Sequence, residues 1–498
     1  MTSQSSRRSN FFIIVAVVLL LVAWLTRLTA IDLFPPFIDE TVHIYGSEQA
    51  ATISPLMNAG LGRQGTIWWL LLFQAYQGSP IWIARVATVL AFMPGLAAVI
   101  GTARILGGRW SALGAGLLFL FSNYHMFFGR LALADPVAGS AVLLAIYFAA
   151  RLKLRIAYRD AMMVGLLLCA AIIAKINVLP FIGVPVAAAL TLWHGAGWAA
   201  RGQQLRWLLL ALGSAFLPLA AFVLGLRLFD YDFLTNSVTY ALNNRGAAPL
   251  SSLVDVDRIV NNIRMTYSLV SAYTGEFSLG VLLIGGLLLL AQRRLFLLLC
   301  LFGPLFALWL SLIQESRFYV VPVALLYVIA AVAVAPLVNR HRLWRTALVV
   351  AVLGWGTLQW LPFYRAAITI TEAEELPLPA ADMAQYVYSD AAGTDLREAR
   401  DFIRNYSPAE VIGLFPNCQG FRYLSSGLLN VTCPKINPNG SDIPVLTELM
   451  NGKRSSDVIV MLQDVPYVPD TAPGKPILTI ERAGGGPAFH IYQLNSAP

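Results

Sequence analysis

Two adjacent carboxylates, Asp39 and Glu40, stand in FPPFIDETVHIYGSE (34–48), just after the first apolar segment of a chain with only 12% charged residues. An ionised carboxylate within hydrogen-bond reach of a hydroxyl can serve as a general base. Neighbouring residues on a helix point about 100° apart. One member of the pair can therefore face a reaction centre while the other holds backbone or an arginine. The spacing equally suits a plain charge pair at a helix N-terminus, where the dipole favours it. A third carboxylate, Asp135 in FFGRLALADPVAGS, lies between two apolar segments, five residues after Arg130. An ionisable group at that depth marks a functional candidate, as an acid or a metal ligand. An Arg130–Asp135 pair or an Asp-Pro helix cap would also account for it. His43 and His125 stand near these acids, and His43 with Asp135 is the candidate divalent-metal pair. A lone histidine is more often a hydrogen-bonded structural residue.

Cations complete the set. Lys175 in IIAKINVLPF ends an apolar run, and Arg317 in QESRFYVVP occupies a tight turn before another. Arg85 in SPIWIARVATVL and Arg130 are similarly placed at segment ends. Fixed cations there can neutralise a phosphate leaving group, or can simply snorkel to lipid headgroups. GxxxxGK[ST], GxGxxG after a strand and HExxH are all missing from the sequence. It therefore carries no positive signal for a nucleotide-driven pump or a zinc protease.

The elements that position these residues must be membrane helices. Hydrophobic residues make up 57% of the 498, and the mean hydropathy is +0.66, more apolar surface than a soluble fold can hide. Apolar spans are expected near 10–29, 81–104, 111–129, 134–151, 160–175, 178–193, 207–228, 278–291, 295–313, 318–337 and 346–364. The first follows Arg7 and Arg8 but lacks a small-x-small cleavage site, so it reads as an uncleaved helix. The net charge of +8 does not indicate nucleic acid, because the arginines and lysines fall in short loops between spans.

With the N-terminus cytoplasmic, one set of loops holds Arg7, Arg8, Arg104, Arg109, Arg151, Lys153, Arg155, Arg159, Arg201, Arg206, Arg293, Arg294, Arg340, Arg342 and Arg345. The other holds Asp39, Glu40, Glu48, Asp230, Asp232, Asp255, Asp257, Glu276 and Glu315. That is the distribution the positive-inside rule requires. It puts Asp39, Asp135, Lys175 and Arg317 on the outer side of a plasma (inner) membrane. The expected architecture is a polytopic α-helical membrane domain of about eleven spans over 1–365, with outer loops 30–80 and 229–277. The segment TIWWLLLFQAYQG (66–78) is too short to cross and suits the interface. An extracytoplasmic α/β domain over 366–498 follows. Its helix is DLREARDFIRNY (395–406), its buried strands are EVIGLF and DVIVML, and 475–494 form a terminal hairpin. An oxidising outer compartment would allow Cys418 and Cys433 to pair. NVT (430–432) and NGS (439–441) are formal glycosylation sequons of the kind that occur by chance.

The acidic pair after the first span, then IARVATVLAFMPGLAAVIGTARILGG and GRLALADP, resemble GT-C glycosyltransferases. The closest types are protein O-mannosyltransferases and lipid A aminoarabinose transferases, a glycosyltransferase family 39-like pattern. AKINVLP and ESRFYVVPVALLY correspond to that family's outer lysine and arginine-aromatic-proline segments. The resemblance covers 30–180 and, loosely, 300–330, and rests on order and topology. It implies transfer of a sugar from a polyprenyl-phosphate donor to a protein, lipid or glycan acceptor on the outer face, with inversion. Asp39 would then be the catalytic base and Glu40 its partner. Asp135 would be a second acid able to bind a divalent cation, and Lys175 and Arg317 would hold the donor phosphate. Ile-Asn follows Lys175 where many members have a glycine-containing turn, a departure that bears on the lysine's role. A transporter or flippase of a lipid-linked glycan would need similar outer cations, but also polar residues through the spans and often an internal repeat. A scaffold with an inactive site is the third reading; loss or survival of transfer in Asp39→Asn separates them.

Overall fold

The computed structural model describes residues 2–52, 62–193, 197–228, 255–311, 314–370, 372–434, 457–464 and 475–494. Helix covers most of the described residues of each of the eleven apolar stretches; residues 312–313 of the expected span 295–313 lie outside the described residues. The first helix is α1 (Thr2–Leu28), followed by α2 (Ile38–Thr52), α3 (Gln64–Leu72) and α4 (Pro80–Gly107). Then come α5 (Arg109–Leu120), α6 (Asn123–Phe128), α7 (Ala134–Ala150), α8 (Tyr158–Ala174), α9 (Val184–Leu192) and α10 (Trp198–Arg227).

Five helical segments among the described residues are long and apolar enough to cross a membrane: Pro80–Gly107, Ala134–Lys153, Trp198–Arg227, Ser316–Ala333 and Arg342–Thr369. Val256–Thr274 and Ser278–Ala291, bent by 116°, would together make a sixth. Phe12–Leu28, Arg109–Leu120, Ile176–Leu192 and Leu295–Trp309 are shorter apolar helices. At 1.5 Å per residue α4 runs about 42 Å, more than a hydrocarbon core needs. The helix that includes Val320–Ala333 is the central one, buried almost all round. By contrast α10 is apolar yet exposes Leu205, Leu209, Phe216, Leu217 and Leu224, as a lipid-facing helix must.

Three stretches differ from the sequence expectation. The span expected over 111–129 is two helices, because Ser122 stops the first and its Oγ accepts from His125 N to start the second. The span expected from 178 begins as a 3-10 turn over Ile176–Gly183, where Pro180 withholds a helical donor. The last expected span extends on both sides, through a π turn at Gly356–Trp360 to Thr369. Of the expected outer loop 229–277, residues 229–254, with Asp230 and Asp232, lie outside the described residues; so does NGS.

After the membrane helices, a short helix at Leu396–Arg404 and a five-stranded mixed sheet follow. Its strands are β1 (Glu410–Leu414), β2 (Val431–Thr432), β3 (Val458–Gln463), β4 (Leu478–Ile480) and β5 (Phe489–Gln493), in the order β2-β1-β3-β5-β4. β1 is parallel to both β2 and β3, whereas β5 is antiparallel to β3 and β4. All six β3 residues are buried, as a central strand covered on both faces requires. Cys418, at the start of a helix over Cys418–Leu424, is disulfide-bonded to Cys433.

Candidate functional site

The chain enters α2 through Pro35-Pro36-Phe37. Glu40 reaches back one turn to accept from Phe37 N at 3.0 Å, the acidic half of a capping box. The same carboxylate takes a two-pronged contact from Arg85, Nε to Oε1 at 2.8 Å and Nη2 to Oε2 at 2.7 Å, and a bond from Ala132 N at 2.8 Å. Both partners are fully buried. Arg85 gives its remaining donors to the carbonyls of Ile31, Phe34 and Pro35, between 2.8 and 3.0 Å. All five guanidinium N–H groups are thereby used. Arg85 therefore has no donor left for a phosphate, contrary to the sequence expectation. Glu40, expected as a catalytic partner, is likewise closed off and acts as the pin that fixes the start of α2.

Asp39 points elsewhere, as adjacent helical positions must. Its Oδ1 accepts from Arg63 Nη1 at 3.3 Å, and its Oδ2 is in direct contact with Arg317 Nη1. Burial pushes the Asp39 carboxyl up, but the guanidinium groups of Arg317 and Arg63 outweigh it and hold the group well below the usual carboxylate range. His43, one turn along the same face, donates from Nδ1 to Ala132 O at 2.9 Å, which leaves Nε2 as the acceptor facing Arg63 at 3.3 Å. Burial, and then the Arg63 charge, push this imidazole down to about 3, so it is neutral.

Arg317 links this group to a second. It also contacts Glu315, and it lines a cavity together with Asp135, Lys175, Asn177 and Phe318. Lys175 Nζ donates to Asp135 Oδ1 at 2.5 Å and sits 4.8 Å from the centre of the Phe318 ring. The Arg317 guanidinium lies 5.9 Å from that ring, so one aromatic side chain spans both cations. Lys175 can point this way because α8 ends at Ala174, where Lys175 takes an extended backbone before the Ile176–Gly183 turn. Four residues expected from sequence, Asp39, Asp135, Lys175 and Arg317, thus share one cluster.

Others do not join it. Arg130 donates to the carbonyls of Thr29 and Ala30 at 2.8 and 2.6 Å, sealing the end of α1, and lines a different, mainly apolar cleft with Arg85. Its partner is not Asp135, and it is not among the cations around Lys175. His125 bonds Ser122 and the Val320 carbonyl and stacks on Phe119, a core role. The expected metal pair fares no better. Asp135 is engaged by Lys175, and both nitrogens of His43 are engaged. Among the described residues no three His, Cys, Asp or Glu side chains converge to hold an ion. A divalent cation needs several donors free of competing cations, so these residues do not fit one. Arg63 was not singled out from sequence. It is a cation in the otherwise acidic stretch 30–80, expected as an outer loop, the same signal that marked Lys175 and Arg317.

No family model and no curated protein matches the sequence. Solved structures do match. ArnT from Cupriavidus metallidurans in the apo state aligns over 98% of both chains with a TM-score of 0.53 at 13% identity. The same ArnT bound to undecaprenyl phosphate gives 0.52 at 13%, over 98% of this chain and 100% of that one. The Archaeoglobus fulgidus oligosaccharyltransferase complexed with Zn and sulfate gives 0.50 at 12%, over 90% and 68%. The chain has the GT-C fold. Within that GT-C fold the α2 carboxylate and the two cavity cations come from α2, the end of α8 and the turn at Ser316–Tyr319, elements far apart in sequence.

Proposed function

We propose that the protein is a membrane glycosyltransferase that moves a sugar from a polyprenyl-phosphate donor to an acceptor hydroxyl or amine on the outer membrane face. The observation that carries this is the sharing of Arg317 between Asp39 and the cavity lined by Lys175 and Asp135. A carboxylate and two buried cations sit within one side chain's reach of each other, and displacement of a phosphate needs both.

In the reaction, the bond between the anomeric carbon and the donor phosphate oxygen breaks as the acceptor oxygen or nitrogen bonds to that carbon. The acceptor proton passes to the Asp39 carboxylate, and polyprenyl phosphate departs, its charge met by Lys175 and Arg317. A single displacement of this kind inverts the anomeric centre. At rest both Asp39 oxygens face guanidinium groups, which makes the carboxylate a poor base. A phosphate entering between Lys175 and Arg317 draws Arg317 toward itself and frees Oδ2, so that donor binding creates the base. Asp135 then loses part of its counter-charge from Lys175 and is free to hold sugar hydroxyls.

The test is transfer from a panel of undecaprenyl-phosphate sugars by purified chain in nanodiscs. Asp39→Asn should lower the rate by at least about a hundredfold, the range general-base removal produces. Native-rate transfer by this variant would exclude Asp39 as the base. Lipid flipping that survives Asp39→Asn, with no transfer by the native chain, would point to a transporter.

A further inference from the structure

The segment that carries Asp39 is gripped from the far end of the chain. Asn417 stands at the N-cap of the Cys418–Leu424 helix, yet its side chain does not cap that helix, the usual use of asparagine there. It is 1% exposed and turns instead onto α2. Its Nδ2 donates to Pro36 O at 2.9 Å and to Ala391 O at 3.0 Å, and its Oδ1 lies 3.4 Å from Thr41 Oγ1, whose hydrogen goes to Ile38 O at 2.8 Å. Both amide hydrogens are thus used on one short turn and its neighbour. Ile38 N donates to the same Ala391 carbonyl at 3.1 Å, and Phe37 pairs with Ala392 as an isolated antiparallel bridge. At the other end of α2, Tyr423 Oη donates to Glu48 at 2.7 Å, and Arg422 contacts the same carboxylate.

Two glycines show how closely this joint is built. A Cβ on Gly393 would lie 2.3 Å from Pro36 O, and a Cβ on Gly420 would lie 2.3 Å from Asn417 Oδ1. A side chain at Gly393 must push the backbone of the joint apart, and one at Gly420 must displace the Asn417 carboxamide. The Cys418–Cys433 disulfide ties the residue next to Asn417 back to the end of β2. Asp39 is bracketed by bonded neighbours: Pro36 and Ile38 before it, Thr41 after it.

We infer that Asn417 is a positioning residue, whose carboxamide orients the Pro36–Thr41 turn so that Asp39 meets Arg317 and Arg63. The sheet unit beyond the membrane helices is then part of the reaction machinery. Glu40 and Arg85 fix the turn from one side, and Asn417 fixes it from the other. This rests on the assignment of Asp39 as the base.

The test uses the full chain in nanodiscs with Asn417→Ala and, separately, Gly420→Ala, which displaces the carboxamide without removing it. The probes are undecaprenyl phosphate for binding and, for turnover, the undecaprenyl-phosphate sugar of the panel that the native chain transfers fastest. Undecaprenyl phosphate binding should stay near native, because Lys175 and Arg317 are untouched, while the melting temperature falls only modestly as buried carbonyls lose their donor. Turnover should fall about 10- to 100-fold, the scale of an ångström-sized misplacement. The acid limb of the turnover profile should move to higher pH as Asp39 leaves Arg317 and Arg63; neutral His43 does not compensate.

Turnover within twofold of native in folded Gly420→Ala protein, with faster amide exchange over 37–41, would overturn the inference. So would parallel loss of turnover, lipid binding and melting temperature in both variants, which is a purely structural role. Asp39→Asn run alongside separates the two ideas. If it keeps native turnover, the base assignment fails. If it is inactive while both joint variants turn over normally, only the positioning role fails.

Discussion

If donor phosphate frees Asp39 from Arg317, the free protein and the donor complex must show different acid limits. At rest Asp39 faces Arg63 and Arg317, and its carboxyl lies well below the usual carboxylate range. The acid limb of kcat/KM reports the free protein, and that of kcat reports the complex. Two unit charges about 4 Å apart at an effective dielectric of about 20 interact by about 4 kcal/mol. Sharing Arg317 with a phosphate removes roughly half of that, about 2 kcal/mol, which raises the carboxyl by about 1.5 pH units. The sign follows directly: a carboxylate that loses a cation holds its proton to higher pH. Initial rates with the undecaprenyl-phosphate sugar that the native chain transfers fastest, taken across the acid range, should therefore show kcat falling at higher pH than kcat/KM. Arg63→Gln removes a cation from both states and should move both limbs upward. Coincident limbs for kcat and kcat/KM near the ordinary carboxylate value, unmoved in Arg63→Gln, would refute the exchange of Arg317 between base and phosphate.

Other variants separate fixing roles from chemical ones. Arg85→Met or Glu40→Gln strands a fully buried charge and should cost about 3–5 kcal/mol of stability, read as a lowered melting temperature. Arg317→Gln should instead stay folded, bind undecaprenyl phosphate weakly and turn over at least about tenfold more slowly. Lys175→Met and Asp135→Asn each break a buried pair, so each single variant should be less stable than the double, with a coupling above about 1 kcal/mol in a double-mutant cycle. Transfer should remain lost in the double variant.

The site residues legible in the sequence were those whose charge ran against the local trend. Lys175 and Arg317 stood out as outer cations, and Asp135 as a carboxylate beside an apolar run. Arg63 carries the same signal, a cation among the acids of 30–80. Arg85, placed where an interfacial arginine is unremarkable, and Arg130, read also as a partner for Asp135, were candidates too and do other work. Sequence cannot show that the carbonyls of Ile31, Phe34 and Pro35, or of Thr29 and Ala30, fall where those guanidinium groups end. The Asp39–Glu40 pair illustrates the same limit. Helical geometry guarantees that the two diverge, but only the placement of Arg85 and Arg317 on other helices decides which one is closed off. Asn417 carried no signal, being neutral, loop-borne and 381 positions from its partner Pro36. The helices were legible because apolar runs of that length have few alternatives. Their breaks at Ser122 and Gly356–Trp360 depend on local hydrogen bonding that hydropathy does not register.

The most direct measurement is an experimental structure of the native chain with undecaprenyl phosphate bound. The account predicts the phosphate between Lys175 and Arg317, against Phe318, with Arg317 turned away from Asp39 and Asp39 Oδ2 open to an acceptor. A phosphate bound in the Arg85–Arg130 cleft, with the Asp39–Arg317 contact intact, would contradict it.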